Sequence, residues 1–433
     1  MRNRQALADH MGSEYALHTP PAREHYWGTY LWDSAAAAEI AAHYGYTRLA
    51  VTEIFSILSG QREDGMIRNM QPPGGRYRKH DPEVLTQMDP RKGSDYSQPP
   101  IVAHAVESTY NAMRAENPEQ ARLFLGEAYP GLKKFYGYFE NHRQLSPTNP
   151  LIFNIHPHET GRDSDPTMAQ SINFKLPRKG PETSKAVDFA NIGLDYLGSI
   201  ALSARNRFNS WDPAKIRRYY QAVDPMFNSL YVSNLRVLAN LADELTQSQD
   251  AEHFSELADR VEHHIQTDMA FYHDRYEGEV ILALSKDGPV RDISIGNLGI
   301  FQLRNLSERH LESGIRMLNR SFNTRFPLPS VATDSRHYDP AGQQAHRLWV
   351  GENWIIGDWV VGEGLRMQAA RPDLSHRPDL TEACGFWAEQ RVVPSMKTLV
   401  EPGYFEKYNP ETSDAQRQET VYDFLWDGLA ETM

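Results

Sequence analysis

Asp33-Ser34-Ala35-Ala36-Ala37-Ala38-Glu39-Ile40-Ala41-Ala42-His43-Tyr44 decides the fold class, because an alanine run of this length has strong helix propensity and lets neighbouring helices approach closely. Gly45 ends the segment. Further helices are expected over Arg48 to Leu58, Ile101 to Ala115 and Pro118 to His142, then over Ala186 to Asn209, Pro213 to Ala222, Pro225 to Leu245 and Glu252 to Ala270. Leu230, Asn234, Val237, Leu238 and Leu241 show the three- and four-residue spacing behind that reading. Phe271-Tyr272 and Val280 to Leu284 predict a small hairpin. Helices follow near Ile293 to Leu303, Ser307 to Leu318, Ile355 to Gln368, Leu380 to Lys397 and Gln416 to Glu431. Long irregular stretches, Gly65 to Pro100, Leu145 to Thr183 and Thr324 to Trp349, interrupt this series. Loops above ~15 residues are uncommon unless functional. Helices with hardly any strand pattern, and long loops before every second one or so, predict an all-α (α/α)6 toroid. Inner helices alternate with outer ones, and the loops gather at one mouth. With no residue-level repeat and no low-complexity linker, residues 1–433 read as a single catalytic domain.

The 433 residues are 40% hydrophobic and 24% charged, an ordinary globular balance with material for a large core. A formal net charge of −12, with both signs interspersed, offers no basic stripe to a phosphate backbone, so nucleic acid is not an expected partner. Cys384 is the only cysteine, which excludes intramolecular disulfides and cysteine-rich metal sites. No apolar run approaches the ~18 residues of a membrane span, and the first residues carry no apolar core. The reading is therefore a cytoplasmic, enzyme-sized protein without a membrane partner. The 21 Tyr and 8 Trp suit stacking on sugar faces as well as core packing.

Chemistry concentrates in two places. His156-Pro157-His158-Glu159-Thr160-Gly161-Arg162-Asp163-Ser164-Asp165-Pro166 packs charge and turn formers together. Its prolines push their predecessors toward extended backbone and Gly161 opens a conformation closed to other residues, so Asp163 is held on a shaped turn. Glu406 lies in Pro402-Gly403-Tyr404-Phe405-Glu406-Lys407-Tyr408-Asn409-Pro410, among aromatics and again between Pro and Gly. Two carboxylates on separate rigid loops are the minimum apparatus for hydrolysing a glycosidic bond. Blander readings exist for each. Asp163 and Asp165 suit a calcium loop, although no twelve-residue ligand pattern follows. Glu406 suits a surface ion pair, Asp33 a helix cap, and Trp349 and Trp354 ordinary core. The histidines show no metal spacing, and no metal site is expected.

Seven blocks in order give the chain a family resemblance: Tyr26-Trp27-Gly28-Thr29-Tyr30-Leu31-Trp32-Asp33-Ser34, Gln98-Pro99-Pro100, Glu159-Thr160-Gly161-Arg162-Asp163, Phe227-Asn228-Ser229, Pro327-Leu328-Pro329-Ser330-Val331-Ala332, Trp349-Val350-Gly351-Glu352-Asn353-Trp354 and Tyr404-Phe405-Glu406-Lys407-Tyr408. The chain resembles glycoside hydrolase family 63, in particular its compact bacterial mannosylglycerate and glucosylglycerate hydrolases, and more distantly the trehalases of family 37. The resemblance implies the same toroid and inverting hydrolysis of a small α-glucoside or α-mannoside. It makes Asp163 the general acid and Glu406 the general base, and gives Asp33 the sugar hydroxyls. It also puts Tyr26, Trp32, Gln98, Gly161, Trp349 and Trp354 around the sugar. No metal or organic cofactor is needed.

Departures from the family pattern bear on the leaving group. His158 replaces an aromatic, Ser164-Asp165 replace Asn-Ser, and Val350-Gly351-Glu352-Asn353 stand where Arg-Gly-Pro is usual. Arg417 to Tyr422 replaces a Gly-rich stretch. Glycerate conjugates rank narrowly ahead of a neutral α-linked disaccharide. For the glycerate carboxylate, Arg162, Lys407 and Arg417 are the candidate cations, and Glu352 is expected to oppose an anion. A sugar isomerase or epimerase on a similar toroid, with histidine acid and base, is the reading from another class.

Overall fold

The structure is a computed structural model that describes residues 19–22, 26, 28–72, 88–89, 93–169, 201–340, 348–414 and 423–433. Helix α1, Leu31–His43, starts two residues before the expected Asp33 and buries Leu31 through Ala38 together with Ala41 and Ala42. Burial on nearly every side is what a small-residue helix in the middle of a helical assembly requires. Asp33 lies inside the first turn, with Tyr30 at the cap position, so it is not the helix cap. Helix α2, Thr47–Ser59, buries only the stripe Ala50, Glu53, Ile54 and Ile57 and packs outside α1.

The same inner and outer pairing continues along the chain. Helix α3 (Val102–Glu116) is backed by α4 (Pro118–His142), and α5 (Pro225–Glu244) by α6 (Ser248–Asp268). The 3-10 helix Ile295–Gln302 is backed by α7 (Glu308–Ser321), and α8 (Ile355–Ala369) by α9 (Pro378–Phe386) with its continuation. The inner elements close on themselves. Helix α1 packs on α3, α3 on α5, α5 on the Ile295–Gln302 segment, that segment on α8, and α8 on the 3-10 helix Leu425–Glu431, which returns to α1. Six inner elements in a closed ring make the fold the predicted all-α toroid. Strands are short; the predicted hairpin is present, with Ala270–His273 antiparallel to Gly278–Ile281.

Asn117 and Asp224 accept the N–H groups of Gln120 (3.1 Å) and Phe227 (2.7 Å), which caps α4 and α5 just before the prolines that open them. Several expected helices come out differently. Pro213 to Ala222 yields one turn, Pro213–Ile216, because Ala222–Val223 is drawn into a strand beside Leu284–Ser285. Ile295–Gln302 is wound as a 3-10 helix behind a Ser294–Asn297 capping box. Pro378 to Val400 is one long helix whose turn Trp387–Val392 widens to a π-helix just before Pro394. Of Ala186 to Asn209, residues 201–208 are helical and 186–200 lie outside the described residues. Of Gln416 to Glu431, only the 3-10 segment Leu425–Glu431 is described as helical, and residues up to 422 lie outside. Among the described residues no helix is long and apolar enough to cross a membrane.

Close approach within the ring depends on missing side chains. A Cβ on Gly299 would sit 2.5 Å from Met226 Cα of α5, and one on Gly364 would sit 2.7 Å from the carbonyl carbon of Phe301. Backbone cannot step aside as a flexible side chain can. Gly299→Ala is therefore expected to destabilise the protein by about 1–3 kcal/mol. Gly126, inside α4 with open space at its Cβ position, should gain up to about 1 kcal/mol on replacement by Ala. Urea midpoints of the two variants check this; a neutral Gly299→Ala would mean the ring is looser than described.

Candidate active site

Two buried arginines, Arg143 and Arg162, anchor the loop that carries Asp163. Glu159 pairs closely with Arg143 and accepts the backbone N–H groups of Ser97 (3.1 Å) and Ile155 (2.7 Å). Three residues on, the Arg162 guanidinium donates to Asp165 (2.8 Å) and to Asp224 (2.5 Å), the cap of α5. Asp165 in turn accepts from Thr167 N–H, Thr167 Oγ1 and Ser294 Oγ at 2.7–2.8 Å. Those bonds consume the Asp165 carboxylate, so the calcium-loop reading of Asp163 and Asp165 is set aside. Between the two anchors Gly161 takes φ +70°, and a Cβ there would reach within 2.5 Å of the Trp32 ring. The turn that shapes the loop thus also presses it against α1.

Glu406 is held from the other side. Asn353 and Tyr408 exchange backbone hydrogen bonds of 2.9 and 3.0 Å, which joins the Glu406 loop to the segment entering α8. Asp427 accepts from Phe405 N–H (2.6 Å) and the Tyr408 hydroxyl (2.5 Å). The Glu406 carboxylate accepts the Tyr26 hydroxyl at 3.0 Å and is 5% exposed, which excludes the surface ion-pair reading. Tyr26 (φ 57°) and Trp349 (φ 63°) both occupy the left-handed region, a strain that bulky residues adopt only where the surroundings impose it.

All nine residues expected at the site, Tyr26, Trp32, Asp33, Gln98, Gly161, Asp163, Trp349, Trp354 and Glu406, line one cavity. Trp349 and Trp354 stack face to face, 4.3 Å between centroids, and Trp426 meets Trp32 and Trp354 edge-on at 5.6 and 5.9 Å. The indole N–H groups of Trp354 and Trp426 are buried with no protein partner among the described residues, so hydroxyls of a bound sugar are suitable acceptors. Gln98 lines the cavity while its Oε1 accepts the N–H of Trp32 at 3.2 Å, one of the orphan donors of α1.

Asn69, Tyr96, His158 and Trp426 line it too and were missed as binding residues. Trp426 sat inside an expected helix, where an aromatic reads as core. A further cavity is framed by α3, α5 and α8, and two of its polar side chains are paired within the protein: Asn234 accepts His104 N–H and donates to Leu230 C=O, and Gln302 donates to Val360 C=O.

The expected anion anchors need correction. Arg162 is buried between its two aspartates, and Lys407 is buried against Glu352 at 3.2 Å, so neither lines the cavity. Glu352, fully buried in that pair, does not face the cavity either. Arg417 lies outside the described residues.

Burial sets the electrostatics of the three carboxyls. It pushes Asp33 up to about 8, with the charges of Asp163 and Glu406 adding to the rise against a backbone hydrogen bond that opposes it. Asp163 rises to about 7 through burial. Glu406 also rises to about 7 through burial, but the Tyr26 hydrogen bond and Lys407 pull its ionised form back, while Asp163 and Glu352 push the other way. Three carboxyls with raised proton affinity gathered in one cleft make it the candidate active site.

Comparisons with known proteins identify the family and the fold. Residues 26–426 match the model of the mannosylglycerate hydrolase MGH1-like glycoside hydrolase domain. Mannosylglycerate hydrolase MGH1 of Selaginella moellendorffii is 26% identical over 385 residues, covering 84% of this chain and 74% of that protein. A crystal structure of the family 63 mannosylglycerate hydrolase of Thermus thermophilus with Tris and D-glycerate superposes with a TM-score of 0.77 at 22% identity, covering 99% of this chain and 100% of that one. The neutral trehalase of Saccharomyces cerevisiae follows with a TM-score of 0.61 at 14% identity, over 96% of this chain and 72% of that one.

Raised carboxyls give a signed stability prediction. The folded state holds protons on Asp33, Asp163 and Glu406 that the unfolded chain releases near pH 4, so their favourable contribution fades as pH climbs through about 7 to 8. Asp33→Asn removes one buried charge from that range. Its melting temperature relative to wild type should rise between pH 5 and pH 9; a difference independent of pH would mean Asp33 titrates normally.

Proposed function

The chain belongs to the MGH1-like mannosylglycerate hydrolase family of glycoside hydrolases, and we propose that it cleaves mannosylglycerate or glucosylglycerate with inversion at the anomeric carbon. The observation that carries the roles is an asymmetry between two carboxyls with equally raised proton affinity. Among the described residues nothing offsets the burial of Asp163, which favours its protonated form. Glu406 has the Tyr26 donor and the Lys407 charge favouring its ionised form. Asp163 is therefore the acid and Glu406 the base.

In the reaction Asp163 gives its proton to the glycosidic oxygen as the bond from that oxygen to C1 breaks. The bonding pair leaves with the oxygen, releasing the glyceric acid. Glu406 removes a proton from a water that forms the new C1–O bond on the opposite face, so an α-glycoside yields a β-sugar. Asp33, protonated beside them, offers a donor to a ring hydroxyl. The Trp32, Trp349 and Trp354 faces, with Tyr26, Gln98 and the close backbone at Gly161, hold the ring against α1 and exclude bulk water.

The glycerate conjugates are supported by the family and by relatives whose names specify mannosylglycerate, one of them solved with D-glycerate. A neutral α-linked disaccharide is the second reading. One observation favours it: among the described residues lining the cavity there is no Lys or Arg to receive a carboxylate.

Asp163→Asn and Glu406→Gln should each lower kcat at least about 100-fold on the best substrate, with helical circular dichroism unchanged. Turnover of mannosylglycerate, glucosylglycerate and trehalose by the wild-type protein ranks the substrates. Near-normal activity in either variant would remove that residue from its role, and cleavage of trehalose alone would select the neutral reading.

A further inference from the structure

Lys407 directly follows the base, yet its ammonium is buried against Glu352, 55 residues earlier in the chain, at 3.2 Å. The other Glu352 oxygen accepts the N–H of Val350 at 2.8 Å, and Glu352 C=O accepts the N–H of Ser330 at 2.9 Å. Ser330 Oγ closes the arrangement by accepting the N–H of Gly351 at 2.8 Å. Glu352 thus organises the turn between Trp349 and Trp354, the stacked wall of the cavity. Through Lys407, and through the Asn353–Tyr408 bridge beside it, that wall is joined to the loop bearing Glu406.

We propose that the buried Glu352–Lys407 ion pair is a positioning device for the general base: it locks the Glu406 loop to the tryptophan wall and sets the charge behind the Glu406 carboxylate. This rests on the reading of Glu406 as the base. An ion pair shut off from water is costly to form and costlier to break singly, so it persists where its geometry is needed. Neither member lines the cavity, so neither is a catalytic residue. Lys407 favours the ionised Glu406 and Glu352 disfavours it. The remaining groups around Glu406 among the described residues are the Tyr26 hydroxyl, Asp163 and Asp33 across the cavity, and Asp427 behind Phe405 and Tyr408.

The test is the pH profile of kcat/KM for Lys407→Met, Glu352→Gln, the double variant and Lys407→Arg. Removing the ammonium should move the acid limb up by about one unit, and removing the Glu352 charge should move it down. Lys407→Arg should stay near wild type. In the double variant the two charge effects largely cancel, and the lost tether should lower kcat about tenfold with KM within about twofold. That variant leaves no unpaired buried charge, so it serves if the single variants fail to fold. Limbs that stay in place, or a double variant with wild-type kcat and only a lower melting temperature, would overturn the proposal and leave the pair structural. Glu406→Gln separates this from the underlying reading: if it keeps its activity the base assignment fails, and if it is inactive while the limbs stay put only the ion-pair inference fails.

Discussion

Arg162 is the constraint on which the site depends. Its guanidinium, 1% exposed, lies between Asp165 and Asp224 and has no route to water. Deleting one member of such a buried set leaves a charge uncompensated and costs about 3–5 kcal/mol. The cluster therefore acts as one unit, and its members come from separate places: the loop of Asp163, the cap of α5, and, through Ser294, the cap of the Ile295–Gln302 helix. Gly296 keeps the adjoining turn bare, which leaves room for the guanidinium. A loop that belonged to no helix is thereby fixed to two members of the inner ring, and Asp163 cannot shift without them.

The opposite wall follows the same logic with weaker parts. Asp427, in the last inner element, accepts both Phe405 N–H and the Tyr408 hydroxyl, so the Glu406 loop hangs from the ring as the Asp163 loop does. Several inner elements of the toroid thus lend a terminus to the site: Trp32 and Asp33 begin α1, Asp224 caps α5 and Trp354 precedes α8. Function is obtained against stability. Three carboxyls are gathered in a buried aromatic cavity where burial is the largest cause opposing their ionisation, and in the proposed mechanism that opposition suits Asp163 to donate a proton near neutral pH.

Much of this was legible in the chain. Alternating helices and long loops predicted the ring because helix periodicity and loop length are local properties. Asp163 and Glu406 were legible because Pro, Gly and aromatics frame them, the other seven site residues came from the family resemblance, and all nine line one cavity. What was missed is non-local. Trp426 carries no mark that distinguishes a cavity wall from a core position. Arg162, Lys407 and Glu352 looked like free charges near a substrate, and only the fold shows that Asp224, 62 residues away from Arg162, and Glu352, 55 residues away from Lys407, neutralise them. The 3-10 winding of Ile295–Gln302 and Leu425–Glu431 was equally hidden, since packing within the ring and not propensity selects it.

The account stands on two carboxyls acting from opposite faces of one glycosidic bond, with water entering directly. Proton NMR of the wild-type reaction, recorded on the best α-glycoside before the product sugar mutarotates, reads that directly. The β anomer appearing first is the predicted result. The α anomer appearing first would contradict the account, because it requires a covalent intermediate and a nucleophile where the base has been placed.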